Sequence, residues 1–179
     1  MHSIIDHLGF TYARFNFDAS FDYFHVLKTR LRDQFVQEWR HNITSLSKLD
    51  VYCKYKETFE YETYLDVKNN KLRKLLSQFR LSSHSLEIEI GSYNNTERAN
   101  RLCKLCNQNP IESDYHFILC CSQYTTIRNK YIGHISWPNI HTFKHLMMSK
   151  NTKRLLNVVR FLNEAMNIRK NALENLIVL

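Results

Sequence analysis

Residues 101–121 read RLCKLCNQNPIESDYHFILCC and gather four of the chain's five cysteines beside a histidine. Two residues separate Cys103 from Cys106, nine residues separate Cys106 from His116, and Cys120 and Cys121 close the stretch. Two thiolates at this spacing form a chelating turn, and a histidine and a thiolate from a second segment complete a tetrahedral set suited to Zn²⁺. We therefore predict one structural zinc ion, which has no open position for a catalytic water.

The fourth ligand can be either of the two adjacent cysteines. On a regular α-helix His116 and Cys120 share a face, whereas Cys121 lies about 140° around the helix from His116. Local geometry therefore favours Cys120. Two other interpretations of the cluster are buried apolar cysteines with a core histidine, and a redox C-x-x-C pair, although no βαβ pattern surrounds that pair.

Composition around this segment predicts a mainly α fold. The chain has 179 residues, enough for one domain with a real core, and 44% of them are hydrophobic. Three glycines and two prolines supply too few turns for a sandwich or barrel. We expect a small helical domain with an embedded zinc-stabilised turn and room for one short strand or hairpin.

In several segments apolar residues recur at intervals of three to four residues, which is the spacing of an amphipathic helix. This spacing predicts helices from residue 20 to about 45 and over 47–59, 69–80, 139–150 and 152–179. Residues 86–90 alternate, which fits a short strand or, since five residues cannot form a sheet alone, an extended connector. The predicted organisation is a lead-in at 1–19, a helical region at 20–90, a zinc-binding segment at 91–135 and C-terminal helices at 136–179.

Charge points to a polyanionic partner. The formal net charge is +8 and the pI is about 9.3, and such a field attracts RNA or DNA. The excess of basic over acidic residues is concentrated before and within the cysteine segment. Basic side chains beside a zinc-binding turn can contact phosphates. The predicted nucleic-acid contacts are Lys71, Arg73, Lys74, Arg80, Arg98, Arg101 and Lys104.

The cellular location follows from what the sequence lacks. No stretch reaches the roughly 18 apolar residues that span a bilayer, and the first residues do not read as a secretion signal. An odd number of cysteines is a poor disulfide framework. We expect an intracellular protein, in the nucleus or cytoplasm, that is neither secreted nor membrane-bound.

The cysteine segment resembles the zinc-binding region near the C-terminus of reverse transcriptases of non-LTR (LINE-type) retrotransposons. That region usually reads CPLCN, an acidic stretch, YHFLL and CP, and this chain has CKLCN, ESD, YHFIL and CC over residues 103–121. The preceding FRLSSHSL (79–86) and RANR (98–101) match the usual FR-x-S-x-H-x-L and R-x-N-R. The motifs cover about residues 70–135.

This resemblance implies a CCHC zinc site formed by Cys103, Cys106, His116 and Cys121, with Cys120 as the alternative fourth ligand. The chain departs from the usual pattern at Ser122, where proline is usual, and at Cys120, where an aliphatic residue is usual. The resemblance also implies a detached C-terminal portion that helps hold RNA near a polymerase. The polymerase portion of the parent polyprotein is then a candidate partner.

Catalytic motifs of the resembled polyprotein are missing from the sequence. The chain has no Tyr-x-Asp-Asp pair for a polymerase palm and no endonuclease constellation of acidic residues and histidine. We predict a non-catalytic module that binds RNA or single-stranded DNA. The alternatives are a zinc-stabilised protein-interaction module and a polyprotein remnant without a function of its own.

Overall fold

The fold was analysed in a computed structural model that describes residues 21–177. The predicted lead-in at 1–19 lies outside the described residues. The described chain is mainly helical, which confirms the predicted fold class, and within it no segment forms a β-strand. No helix in this range is long and apolar enough to cross a membrane.

The chain divides into two compact units between Ser47 and Lys48. In the first unit, helix α1 spans Phe21–Ser45, as the apolar pattern predicts. Its last turn is closed by hydroxyl groups that return to the helix backbone: Thr44 Oγ1 donates to the Arg40 carbonyl at 2.8 Å. Such local bonds compete with helix continuation, which explains the end at Ser45.

The second unit opens with a short helix that corrects a prediction. Helix α2 spans only Asp50–Tyr55, preceded by a 3₁₀ turn at Ser47–Leu49, and not 47–59. The backbone is extended at Lys56, whose ammonium donates to the Glu60 carbonyl at 2.7 Å and pairs with the Glu62 carboxylate. The helix therefore ends where Lys56 becomes buried against Glu62. The spacing of apolar residues gives no signal of this charged pair.

Helix α3 spans Asn70–Arg80, as predicted, and begins where the Asn69 side chain accepts from the Leu72 amide. It ends in a turn at Ser82, whose φ is 46°, with the Ser83 amide donating to the Gln78 carbonyl at 2.7 Å. This is the left-handed closing turn common at helix C-termini.

Helix α4 spans Glu87–Tyr93, so the strand or extended connector expected at 86–90 is wrong. The alternation misleads because Glu87 does not face water: its side chain is 12% exposed and pairs with Arg169. Gly91 lets Arg101 cross α4, since a Cβ there would lie 2.6 Å from Arg101 Cγ.

The remaining helices are α5 (Thr125–Tyr131), α6 (Ile140–Met147) and α7 (Thr152–Ile177). Asparagine caps α6 and α7, because the Asn139 and Asn151 side chains accept from the amides of Thr142 and Arg154. The helix predicted at 139–150 is thus confirmed with shorter bounds, and the one predicted at 152–179 is confirmed as far as the described residues reach.

Helix α7 is the centre of the second unit and packs against α3, α5 and α6. Its buried apolar side chains are Leu155, Val158, Val159, Phe161, Leu162 and Ala165. Phe117, from the cysteine segment, joins this core with ring centroids 5.6 Å from Phe79 and 6.3 Å from Phe161. The segment that carries the cysteines is therefore anchored in the helical core.

Candidate metal centre

Four side chains come together where the sequence predicts a metal site. The ligand atoms of Cys103, Cys106, His116 and Cys121 all lie within 4.8 Å of one another, and all four residues are buried. Cys106 Sγ lies 3.5 Å from His116 Nε2. The group could hold a metal ion.

A tight turn with one antiparallel bridge positions the first two cysteines. The Cys103 amide donates to the Pro110 carbonyl at 2.8 Å, and the Glu112 amide donates to the Arg101 carbonyl at 2.9 Å. Leu102 and Ile111 form the isolated bridge between these bonds. This is as close to a hairpin as the described residues come, so the turn carries both thiols without a sheet.

A π-helical turn explains why Cys121, and not Cys120, joins the group. Residues His116–Cys120 form a π-helix, and the Cys121 amide donates to the His116 carbonyl at 2.8 Å. This bond between residues five apart closes a wider turn than an α-helix, bringing residue i+5 back toward residue i. The α-helical argument that favoured Cys120 therefore does not apply here.

Cys120 lies outside the group of four and is only half-buried. Burial raises the pKa of its thiol, while the charge of Arg128 and a hydrogen bond from Tyr115 lower that pKa. Its neighbours are therefore a guanidinium and a phenol, not the other thiols.

Arg128 on α5 stabilises the π-helical turn. Its Nε donates to the Ile118 carbonyl at 2.8 Å, and its Nη2 donates to the Cys121 carbonyl at 2.7 Å. The side chain is 5% exposed. A π-turn cannot pair all its carbonyls internally, and a buried guanidinium supplies the missing donors.

A buried carboxylate fixes the cysteine segment to α4 and α7. Glu112 is 1% exposed and accepts from Arg169 Nε at 2.8 Å, from Arg169 Nη2 at 2.7 Å and from the Glu87 amide at 2.7 Å. The Glu87 carboxylate lies 3.2 Å from the same guanidinium. We call Glu112, Arg169 and Glu87 the acid clasp. The cysteine spacing gives no signal for it.

A second buried pair lies beside the site. His84 Nε2 lies against Asp114 Oδ1, both side chains are nearly inaccessible, and Asp114 is two residues before His116. The His84 and Phe79 rings are 4.7 Å apart. The quoted FRLSSHSL motif therefore supplies packing around the metal group, a role that sequence reasoning missed.

A hydrogen bond within the cluster shifts the pKa values of two thiols in opposite directions. A hydrogen bond from Cys121 lowers the pKa of Cys103 to about 3 against the opposing effect of burial. That same bond, together with burial, raises the pKa of Cys121. A thiolate at Cys103 is the form in which a cysteine ligates a metal.

The seven predicted nucleic-acid contacts separate into two groups. Lys71, Lys74, Arg98 and Lys104 are exposed; of these, Lys104 pairs with Glu87 at 2.8 Å. The other three are arginines whose guanidinium groups bond to backbone carbonyls.

Arg73 donates to the Val67 carbonyl at 3.0 Å. Arg101 donates to the carbonyls of Thr96 and Ile88, each at 2.9 Å. Arg80 is 2% exposed, donates to the Met147 carbonyl and pairs with Glu62. The Arg80 side chain is therefore buried in the helical core and does not lie on the surface with the exposed Lys71 and Lys74.

No known protein family, curated protein or solved structure matched this chain when it was compared with each. The retrotransposon resemblance therefore stays a prediction from the quoted motifs.

Proposed function

We propose that Cys103, Cys106, His116 and Cys121 bind one structural Zn²⁺ ion. The observation that carries this proposal is the buried convergence of three thiols and an imidazole nitrogen within 4.8 Å. Tetrahedral Zn²⁺ places a thiolate and an imidazole nitrogen about 3.6 Å apart, and two thiolates about 3.8 Å apart. The 3.5 Å between Cys106 Sγ and His116 Nε2 fits that requirement. Three sulfur ligands and one nitrogen favour zinc over magnesium or calcium, which prefer oxygen.

The proposed role of the metal is to hold two chain segments together. The turn would supply Cys103 and Cys106, and the π-helical turn would supply His116 at its start and Cys121 just after its end. Four protein ligands fill the tetrahedron, so the ion would have no position for an activated water. The module is non-catalytic on this account.

The proposed partner is single-stranded RNA or DNA. Lys71 and Lys74 are exposed on α3, and Arg98 and Lys104 are exposed beside and within the metal-binding turn. Tyr93 at the end of α4 is 70% exposed, with Lys48 5.5 Å from the centre of its ring, and would stack a base on the opposite face. The quoted motifs add the polymerase portion of a retrotransposon polyprotein as a protein partner.

The test measures the affinity for fluorescently labelled single-stranded RNA over a series of salt concentrations. We expect log Kd to depend linearly on log salt, with about 0.7 lost from the slope for each phosphate contact removed. The double variants are Lys71→Ala with Lys74→Ala and Arg98→Ala with Lys104→Ala. Each should weaken binding and reduce the slope.

Lys54→Ala with Arg160→Ala is the matched control, because it removes two exposed positive charges elsewhere in the second unit. We expect this control to bind RNA almost as the native protein does. If the control weakens binding as much as the two test pairs, the effect reports net charge alone and the proposed interface is wrong.

A further inference from the structure

A cavity of about 60 Å³ lies away from the cysteine group, and the proposed function makes no use of it. Its walls come from the segment between α2 and α3, from the end of α3 and from the turn between α6 and α7. The residues that define its chemistry are Lys56, Thr58, Glu62, Thr63, Arg80 and Lys150.

Two buried cations in this cavity share the half-buried Glu62 carboxylate. Lys56 is 5% exposed and Arg80 is 2% exposed, and both pair with Glu62, the lysine at 3.2 Å. At the rim, Lys150 and Glu60 are both exposed, and their opposite charges cancel in the net charge of the site. The buried part of the site therefore carries one uncompensated positive charge, and buried charges are ordinarily paired.

Arg80 also has an unused donor. Its Nη groups bond to the Met147 carbonyl and to Glu62, but its buried Nε has no acceptor among the described residues. The rings of Tyr55 and Tyr64 lie 5.1 Å and 4.6 Å from the guanidinium carbon. These contacts hold the guanidinium in place, so the unused donor belongs to a preorganised group.

The chemistry of the lining selects for a tetrahedral oxyanion. Thr58 and Thr63 also line the cavity and carry hydroxyl donors, and Lys150 provides a third positively charged group at the rim. Several donors around an excess positive charge match the many acceptor oxygens of a phosphate group.

We propose that this cavity binds one phosphate group through Lys56, Arg80 and Lys150. The group is either free inorganic phosphate or the terminal phosphate of a nucleic-acid strand. The proposal is independent of the metal site, because none of the cavity residues is a predicted metal ligand.

The first measurement is the thermal unfolding midpoint of the full, metal-loaded chain in sodium phosphate and in sodium chloride at equal ionic strength. We expect phosphate to raise the midpoint in a saturable way, since it binds only the folded cavity. An equal midpoint in the two salts across the titration overturns the proposal.

Variants locate the effect. Lys150→Ala should weaken phosphate binding about two- to fivefold, as expected for an exposed charge, by isothermal titration calorimetry. Lys153→Ala is the matched control, because Lys153 is also exposed but does not line the cavity. Lys56→Met removes the excess charge and should abolish the phosphate effect. If Lys56→Met does not fold, Lys150→Ala against Lys153→Ala decides, and equal affinity in those two variants overturns the proposal.

A last arm distinguishes the two sources of phosphate. A single-stranded oligonucleotide with a 5′-phosphate is compared with the same strand carrying a 5′-hydroxyl. Tighter binding of the phosphorylated strand, lost when inorganic phosphate is added, identifies a nucleic-acid terminus. Equal binding of the two strands, with stabilisation by inorganic phosphate retained, identifies free phosphate as the ligand.

Discussion

Glu112 connects the metal-binding turn to two helices through a single buried side chain. Both of its oxygens accept hydrogen bonds from the Arg169 guanidinium, and one also accepts from the α4 backbone. The pKa of Arg169 is raised: burial alone would lower it, but the hydrogen bonds and charge of Glu112 outweigh that effect. Removal of Arg169 would leave the buried Glu112 without a counterion, and removal of Glu112 would leave Arg169 with Glu87 as its remaining carboxylate partner.

We predict that Glu112→Gln lowers the free energy of unfolding by about 3 kcal/mol, because Arg169 loses its main buried partner. Arg169→Met should destabilise the protein by a similar amount. The double variant should lose less than the sum of the two, since the charges are removed together. Urea unfolding measures the stability of all three variants. Glu174→Gln is the control, because Glu174 is an exposed carboxylate on α7, the helix that carries Arg169. Additive losses would contradict the acid clasp.

The two adjacent cysteines give a second prediction at the scale of single residues. Cys121→Ser should lose bound metal, because Cys121 lies in the buried group of four. Cys120→Ser should retain it, because Cys120 lies outside that group. Metal content per chain measures both, with circular dichroism reporting the fold. Loss of metal from Cys120→Ser with retention in Cys121→Ser would contradict the π-helical geometry.

At the scale of elements, periodicity predicts where helices lie but not where their geometry changes. The patterns at 69–80 and 152–179 specify an apolar stripe and match α3 and α7. The π-turn at His116–Cys120 was missed because the argument for Cys120 assumed 3.6 residues per turn. Helix α4 was missed because Glu87 looks like a solvent-facing residue and instead pairs with Arg169, 82 residues away. Long-range ion pairs leave no local signal.

Arg128 tests how the π-turn is stabilised. We predict that Arg128→Met lowers the free energy of unfolding by about 2–3 kcal/mol, since two buried carbonyls lose their donors. It should also weaken metal binding, because Cys121 carries one of these carbonyls. Lys130→Met is the control, as Lys130 is exposed on the same helix and pairs only at the surface. Urea unfolding of the metal-loaded proteins separates the two variants, and equal stability would show that Arg128 does not support the turn.

At the scale of the whole molecule, composition predicts the helical class and the net charge but not how each basic side chain is used. Scarcity of glycine and proline excludes the tight turns of a sandwich, and the described chain is helical. Seven basic residues were predicted as nucleic-acid contacts. Three of them, Arg73, Arg80 and Arg101, bond instead to backbone carbonyls within the fold. A planar guanidinium can satisfy several carbonyls at once, whereas a lysine ammonium is more strongly hydrated. Only the folded chain reveals which arginines meet carbonyls.

Zinc content is the measurement that tests the central claim most directly. The chain is purified without added metal and analysed by inductively coupled plasma mass spectrometry, alongside Cys103→Ser. The account predicts one zinc per native chain, and loss of both zinc and the folded state in Cys103→Ser, because structural metal binding contributes folding free energy. Well-folded native protein that contains no zinc, and gains no stability when zinc is added, would contradict the account.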